Sequence, residues 1–358
     1  MEITYLPKDY IITTTAPSNN ENYIYFSDFM LRALRIKNTT SSLMEIQSIT
    51  YIIRENGGII KEHVYPYESL QYWIPRWNEN IHIKENQIDA LIGAKKFWDE
   101  SWLVKSTVLE PGQEIGLRNE YFHIIYNKVL DELIVMIKYV QNGIEYNKSK
   151  KIALIEYKNK NNYIFPVKGN WQINGNFDCI TAHRQRNSDE FAFDLCQLDK
   201  NGLNIVNKNK KPEDYPHYGK EVYSIADGIV VQVYEEMLEN TIGLSEEENK
   251  RLESIHGYWP IITGNIIVIQ HENGEYSAYD HLQYHSIHLK VGDSVKQGHV
   301  IGLVGDTGLS GCPHLHFELK DGNKPESRSL PCSFINITDT NGNKIDIINE
   351  EYTIIHAV

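Results

Sequence analysis

Apolar residues in this chain recur in short runs of period two rather than in long helical stripes, and that patterning restricts it to β-rich architectures. Residues 33–38, 49–53, 59–64 and 133–140 are rich in β-branched and aromatic side chains, which suit a pleated, half-buried surface. Turn formers punctuate them at Asn56-Gly57-Gly58 and Glu110-Pro111-Gly112. One stretch breaks the rhythm: Ile88, Leu91, Ile92, Trp98 and Trp102 recur at helical spacing, which predicts an amphipathic helix over 86–102. The expectation for 1–160 is a mostly β, β-sandwich-like domain with a helical insertion and an immunoglobulin-like arrangement as one candidate topology.

The pattern weakens at Gln141-Asn142-Gly143 and again through 158–162, which puts a domain boundary near 160. Strand-like runs resume at 191–196, 222–233, 266–271, 276–282, 300–304 and 315–319. A charged segment at 235–262 reads as a surface insertion. Within it, Ser245 followed by three glutamates suits a helix N-cap with an acidic first turn. Residues 336–358, with Asn341-Gly342 between strand-like runs, read as a C-terminal hairpin. Segments 222–231 and 292–302 echo each other as strand, turn, strand, the pattern of a barrel-sandwich built from two similar half-motifs.

Composition removes several function classes. The 358 residues are ample for two domains, and a formal net charge of −13 argues against a phosphate-tracking nucleic-acid binder. Cys179, Cys196, Cys312 and Cys332 form no CxxC pair, so neither a disulfide scaffold nor a cysteine zinc knuckle is expected. No apolar run is long enough for a membrane span, and the first residues lack the basic and apolar regions of a signal peptide.

Chemistry concentrates in a few segments. In Pro313-His314-Leu315-His316-Phe317-Glu318, strand alternation points His314 and His316 one way and Leu315 and Phe317 into the core. Two imidazoles on one rigid face are half of a metal site, although two histidines can also simply line a polar sheet face. Alternation in 191–196 turns Phe191, Phe193 and Leu195 inward and leaves Ala192, Asp194 and Cys196 on the other face. A carboxylate there is costly unless a cation or hydrogen-bond donors compensate it, and a turn or cap role is the plain alternative. His183 lies in a polar loop just upstream. Tyr279 and His281 should share a face of another strand. Glu318 follows the paired histidines on their face, as an orienting partner or an ordinary salt-bridge residue. His63, His82, His123, His217 and His356 are isolated and read as structural, as does His271; His285 and His288 read as loop residues. The glycines of 302–308 fit turns rather than a phosphate loop.

From about 165 to 334 the chain resembles the lysostaphin-like, LytM-type zinc metallopeptidases that cut peptide bonds of bacterial peptidoglycan. The resemblance rests on 219–231 (GKEVYSIADGIVV), 264–271 (GNIIVIQH), 276–283 (YSAYDHLQ), 291–308 (VGDSVKQGHVIGLVGDTG) and 313–319 (PHLHFEL), in that order. It implies a barrel-sandwich (duplicated hybrid motif) peptidase domain over 161–335. It also implies one Zn2+ per chain on His183, Asp194 and His316, with His281 and His314 as the catalytic pair. Peptidoglycan peptides would be the substrate and the cell envelope or exterior the setting. Two positions depart from the family. The acidic ligand usually follows the first histidine by four residues, which here is Asn187, so Asp194 comes late and Asp189 and Glu190 stay rivals. Asp280 stands where a small residue is usual; opposite His281, it would be a surface charge or a partner to an imidazole. A non-catalytic LytM-type binding or regulatory module is the alternative. A biotinyl- or lipoyl-type carrier lacks its Met-Lys turn. The N-terminal region carries no comparable resemblance: Trp73, Trp77, Trp98 and Trp102 suit glycan contact or core equally well. Oligomeric state is left open.

Overall fold

In the computed structural model, which describes residues 1–17, 25–79, 91–94, 96–126, 129–175, 183–198, 211–240, 246–345, 348 and 353–358, the chain divides into two units, Met1–Tyr157 and Lys158–Val358. The first contains β1 (Glu2–Leu6), β2 (Tyr10–Pro17), β3 (Tyr25–Lys37), β4 (Met44–Glu55), β5 (Gly58–Pro66), helix α1 (Tyr67–Glu79), β6 (Val108–Leu109), β7 (Glu114–Tyr126), β8 (Glu132–Gln141) and β9 (Ile144–Glu156). β2 serves two sheets: Tyr10–Thr13 pair in parallel with β9, and Thr14–Pro17 pair antiparallel with β3. β1, β3 and β7 form one layer, and β9, β8, β4 and β5 the other. Their inward residues share one core, with Phe29, Leu31, Leu34 and Ile36 from β3 and Ile49, Tyr51, Ile53, Leu133, Val135 and Ile137 from β4 and β8. A register shift between Ile46 and Ser48 keeps both Ile46 and Ile49 inward despite their three-residue spacing.

Asn56-Gly57 and Asn142-Gly143 both adopt positive φ at both residues, as tight hairpins between right-twisted strands require. Gln141-Asn142-Gly143 is therefore a hairpin inside the first unit, not a fading of its pattern. The helical insertion sits earlier than the spacing predicts. α1 buries Leu70 and Ile74, four residues apart, in the sandwich core. Of the expected helix at 86–102, residues 86–90 lie outside the described residues, and the helical turn ends at Ile92. Gly93, at φ +74°, closes it, and Ile92, Phe97 and Trp98 pack with Leu6 and Ala33 in a separate small core.

The second unit contains β10 (Gly169–Gly175), β11 (Phe193–Cys196), β12 (Glu221–Tyr223), β13 (Gly228–Tyr234), α2 (Glu246–His256), α3 (Tyr258–Thr263), β14 (Asn265–Gln270) and β15 (Tyr276–Leu282). It continues with β16 (Ser294–Val295), β17 (Val300–Leu303), β18 (Leu315–Lys320), β19 (Ser329–Leu330), β20 (Ile337–Thr338) and β21 (Ile354–Ala357). Its main sheet runs β16-β13-β14-β15-β18-β11-β10-β21-β20. The two echoing segments pair with each other, β12 on β17 and β13 on β16. α2 and α3 fill the charged insertion between β13 and β14; Ser245 lies outside the described residues. The terminal strands extend the main sheet, because β21 pairs with β10. Phe193, Phe317 and Tyr279 lie opposite one another on adjacent strands and are fully buried. This places Asp194, His316 and Asp280, the next row, on the other face. No helix among the described residues is long and apolar enough to cross a membrane.

Candidate metal centre and catalytic cleft

Asp194 is the hub of the site. Its Oδ1 lies 2.9 Å from His316 Nδ1 and 3.5 Å from His314 Nε2, and its Oδ2 lies 3.3 Å from His183 Nε2. Burial works against ionising this carboxyl, but the imidazoles of His183 and His314 hold it well below its ordinary range. Burial likewise opposes protonation of His316, yet Asp194 pushes that ring up to about 10. The cluster therefore attracts positive charge to its centre. Ligand atoms of His183, Asp194 and His316 lie within 4.8 Å of one another, and His183 Nδ1 is buried without a hydrogen-bond partner. Two imidazole nitrogens and one carboxylate oxygen converging on one point fit a metal ion. Gly175 faces Asp194 across the β10–β11 pair and has no side chain to crowd it.

His281 and His314 stand beside this cluster with ring centroids 4.6 Å apart. Each ring is oriented by a backbone carbonyl: His281 Nδ1 lies 2.7 Å from Thr307 O, and His314 Nδ1 lies 2.8 Å from Cys312 O. A carbonyl only accepts, so both Nδ1 atoms carry the proton and both Nε2 atoms present a lone pair in the neutral rings. Burial foremost, then the neighbouring His314 and His316, hold His281 well below its ordinary pKa. Gly264, at φ +64°, lets the Thr307 carbonyl approach: a Cβ there would stand 2.3 Å from that oxygen.

Alternation fails at one point of this strand. Tyr279 faces the core and meets Phe317. Two residues of β15, Asp280 and His281, oppose only Ile266 on β14, and His281 adopts φ +61°. The bulge turns His281 to the same side as Asp280, which is register partner to His316 and 5% exposed rather than a surface charge. Burial above all, reinforced by Glu318, raises the Asp280 carboxyl to about 8. These groups line a cavity of about 230 Å³ together with Trp259 and Ile262 of the insertion. The rival carboxylates are engaged elsewhere: Asp189 lies 3.3 Å from Arg186, and Glu190 lies 3.7 Å from Arg184. Burial pushes the Cys196 thiol up to about 12 and that of Cys312 to about 11, so both are neutral.

One supporting residue escapes sequence reasoning. His217, isolated in sequence, bonds the Pro313 carbonyl through Nε2 and accepts from the Gln197 amide at Nδ1, 3.1 Å away. It thereby ties the end of β11 to the start of β18. His271 bonds Asp227 O and Ser277 Oγ, as a structural residue does. His82 lies outside the described residues.

Residues 214–327 match the sequence profile of Peptidase family M23. The second unit carries an M23 peptidase domain, the family of the LytM-type enzymes. His183 and Asp194 precede the matched span. Among curated relatives, the peptidoglycan DD-endopeptidase ShyA of Vibrio cholerae serotype O1 is 30% identical over 161 residues, covering 43% of this chain and 26% of that protein. The DD-carboxypeptidase/endopeptidase Mpg of Neisseria meningitidis serogroup B is 42% identical over 62 residues, covering 17% of this chain and 14% of that protein. The chain thus spans about a quarter or less of the length of these relatives. Similar solved structures include a zinc-containing peptidase from Vibrio cholerae, at 14% identity and TM-score 0.28, covering 88% of this chain and 83% of that one.

Proposed function

We propose that the second unit is a zinc-dependent endopeptidase that hydrolyses peptide bonds of bacterial peptidoglycan. The observation that carries this reading is the convergence on Asp194 of His183 and His316, with His314 and His281 beside them and their Nδ1 atoms committed to carbonyls. His183 Nε2, an Asp194 oxygen and His316 Nδ1 would hold the ion. Three protein ligands leave a fourth position open, as catalytic zinc sites do. When bound, zinc supplies Lewis acidity, polarising a carbonyl and lowering the pKa of water towards about 7.

The remaining work falls to the chain's own residues. The Nε2 lone pairs of His281 and His314 accept the proton of the attacking water and return it to the leaving amine. A ring that has taken the proton donates from Nε2 to the developing oxyanion. Thr307 O and Cys312 O hold both rings in that tautomer throughout. The M23 domain and the relatives named as peptidoglycan DD-endopeptidases support this substrate class, and they make the cross-link between stem peptides the first bond to test. Such a substrate would place the protein's action in the cell envelope. Purified protein should carry one zinc per chain and release soluble fragments from peptidoglycan. A protein that binds no zinc yet associates with wall material would instead be a binding module.

A further inference from the structure

Beside the metal centre lie two buried carboxylates, Asp280 and Glu318, and Lys320 bonds the second of them. Asp280 and Glu318 are 5% and 4% exposed, lie on adjacent strands of the site face and line the cleft. Asp280 Oδ1 and Glu318 Oε2 have no hydrogen-bond partner. Lys320 Nζ lies 2.6 Å from Glu318 Oε1, 2.8 Å from Pro325 O and 3.5 Å from Ser188 O, so its three N–H groups are committed. Arg186 faces Asp189. The two unpartnered carboxylate oxygens are thus held out of water beside an ammonium whose donors are already committed, an arrangement that is costly until a further donor enters.

Resting on the peptidase reading, we propose that Asp280 and Glu318 form a subsite for a primary ammonium carried by the substrate near the scissile bond. Ala278 is the register partner of Glu318, and Val268 is that of Ala278. They give the cleft an apolar floor beside the carboxylates, suited to the methylene stem of an amine-bearing side chain. A second divalent ion on Asp280, His316 and Glu318 fits less well, although their ligand atoms also lie within 4.8 Å. Serving both metals would need His316 as an imidazolate, whereas an ammonium needs no ligand from that ring.

The test uses the zinc-loaded full chain and two cross-linked stem peptides that differ only in whether the amine beside the scissile bond is free or acetylated. A charge-assisted contact predicts a preference of about 10- to 100-fold in kcat/KM for the free amine. Asp280→Asn and Glu318→Gln should each reduce that preference to about twofold or less with one zinc still bound. Asp280→Asn keeps the shape and leaves the Lys320 pair intact, so it decides the matter if Glu318→Gln folds poorly. No preference in the wild type overturns the subsite. So does an Asp280→Asn variant that loses zinc affinity and cuts both substrates equally, which would make Asp280 a positioning residue for His316. Two zincs per chain, one lost in Glu318→Gln, overturns it as well. If neither peptide is cut, the peptidase reading fails. Calorimetric binding of the same two peptides then decides the subsite: a Kd preference abolished by Asp280→Asn supports it, and equal affinities overturn it.

Discussion

Gly175→Ala probes the metal centre without removing any proposed ligand. An added Cβ would stand 2.8 Å from Asp194 Oδ2, 3.0 Å from His183 Cε1 and 3.2 Å from Asp194 Cγ, against 3.4 Å or more for ordinary contact. One or both side chains must yield by about half an ångström, whereas metal–ligand distances tolerate about 0.2 Å. Shifts of supporting groups around metal ligands cost about 10- to 100-fold in affinity, or about 1.4–2.7 kcal/mol. Gly175 lacks a positive φ, so alanine suits its backbone. The metal-free fold should therefore keep its stability to within about 1 kcal/mol, and the strand itself gains slightly from losing a glycine. The assay is a zinc competition titration against a chromophoric chelator, paired with thermal denaturation of the metal-free protein. Gly311→Ala, whose Cβ meets nothing within 4 Å, is the control. Zinc affinity within about twofold of wild type would refute the assignment of Asp194 and His183 as adjacent ligands.

The other predictions concern separate parts of the same unit. His316→Ala should lose both zinc and peptidoglycan release, while His314→Ala should keep zinc and lose turnover; an active His314→Ala variant removes its catalytic role. Lys320→Met leaves Glu318 buried beside Asp280 with no cation, which should cost about 3–5 kcal/mol in urea denaturation. A loss below about 1 kcal/mol would show that the pair is not buried as described. Burial, aided by the charge of His314, depresses His217 from 6.5 to about 4. The unfolded chain then takes up the proton first, so this contribution is complete above pH 6.5 and is lost on acidification towards pH 4. The loss is on the order of 3 kcal/mol, and His217→Gln should flatten the stability profile across that window. An unchanged slope contradicts the burial of a neutral ring.

How much of this was legible in the sequence depended on whether local rules held. Strict alternation in 191–196 and 313–318 was enough to put Asp194, His314 and His316 on one face, because those strands are regular and their other face is filled by Phe193 and Phe317. The same rule misplaced His281, which it set on the face of Tyr279, because the bulge against Ile266 depends on how β14 pairs and has no local signature. α1 was missed because Pro75 lies inside it, where a proline ordinarily argues against a helix, whereas tertiary burial of Leu70 and Ile74 overrides that preference. The helix expected over 86–102 failed beyond Ile92 because Gly93 ends the turn and Trp98 turns inward to donate to Leu34 O at 3.1 Å. His217 and Gly175 were illegible for another reason. Each acts through a partner brought near by the sheet, Pro313 for one and Asp194 for the other, and no spacing in the chain encodes that proximity.

The central claim is that His183, Asp194 and His316 hold a zinc at which His281 and His314 assist peptide hydrolysis. Mass-spectrometric product analysis on defined cross-linked muropeptides tests it most directly. The account predicts zinc-dependent conversion of the cross-linked species into two peptides, one with a new carboxylate and one with a new amine, and no such products from His314→Ala. Cross-links left intact by zinc-loaded wild-type protein, or products that persist when His314 is removed, would contradict it.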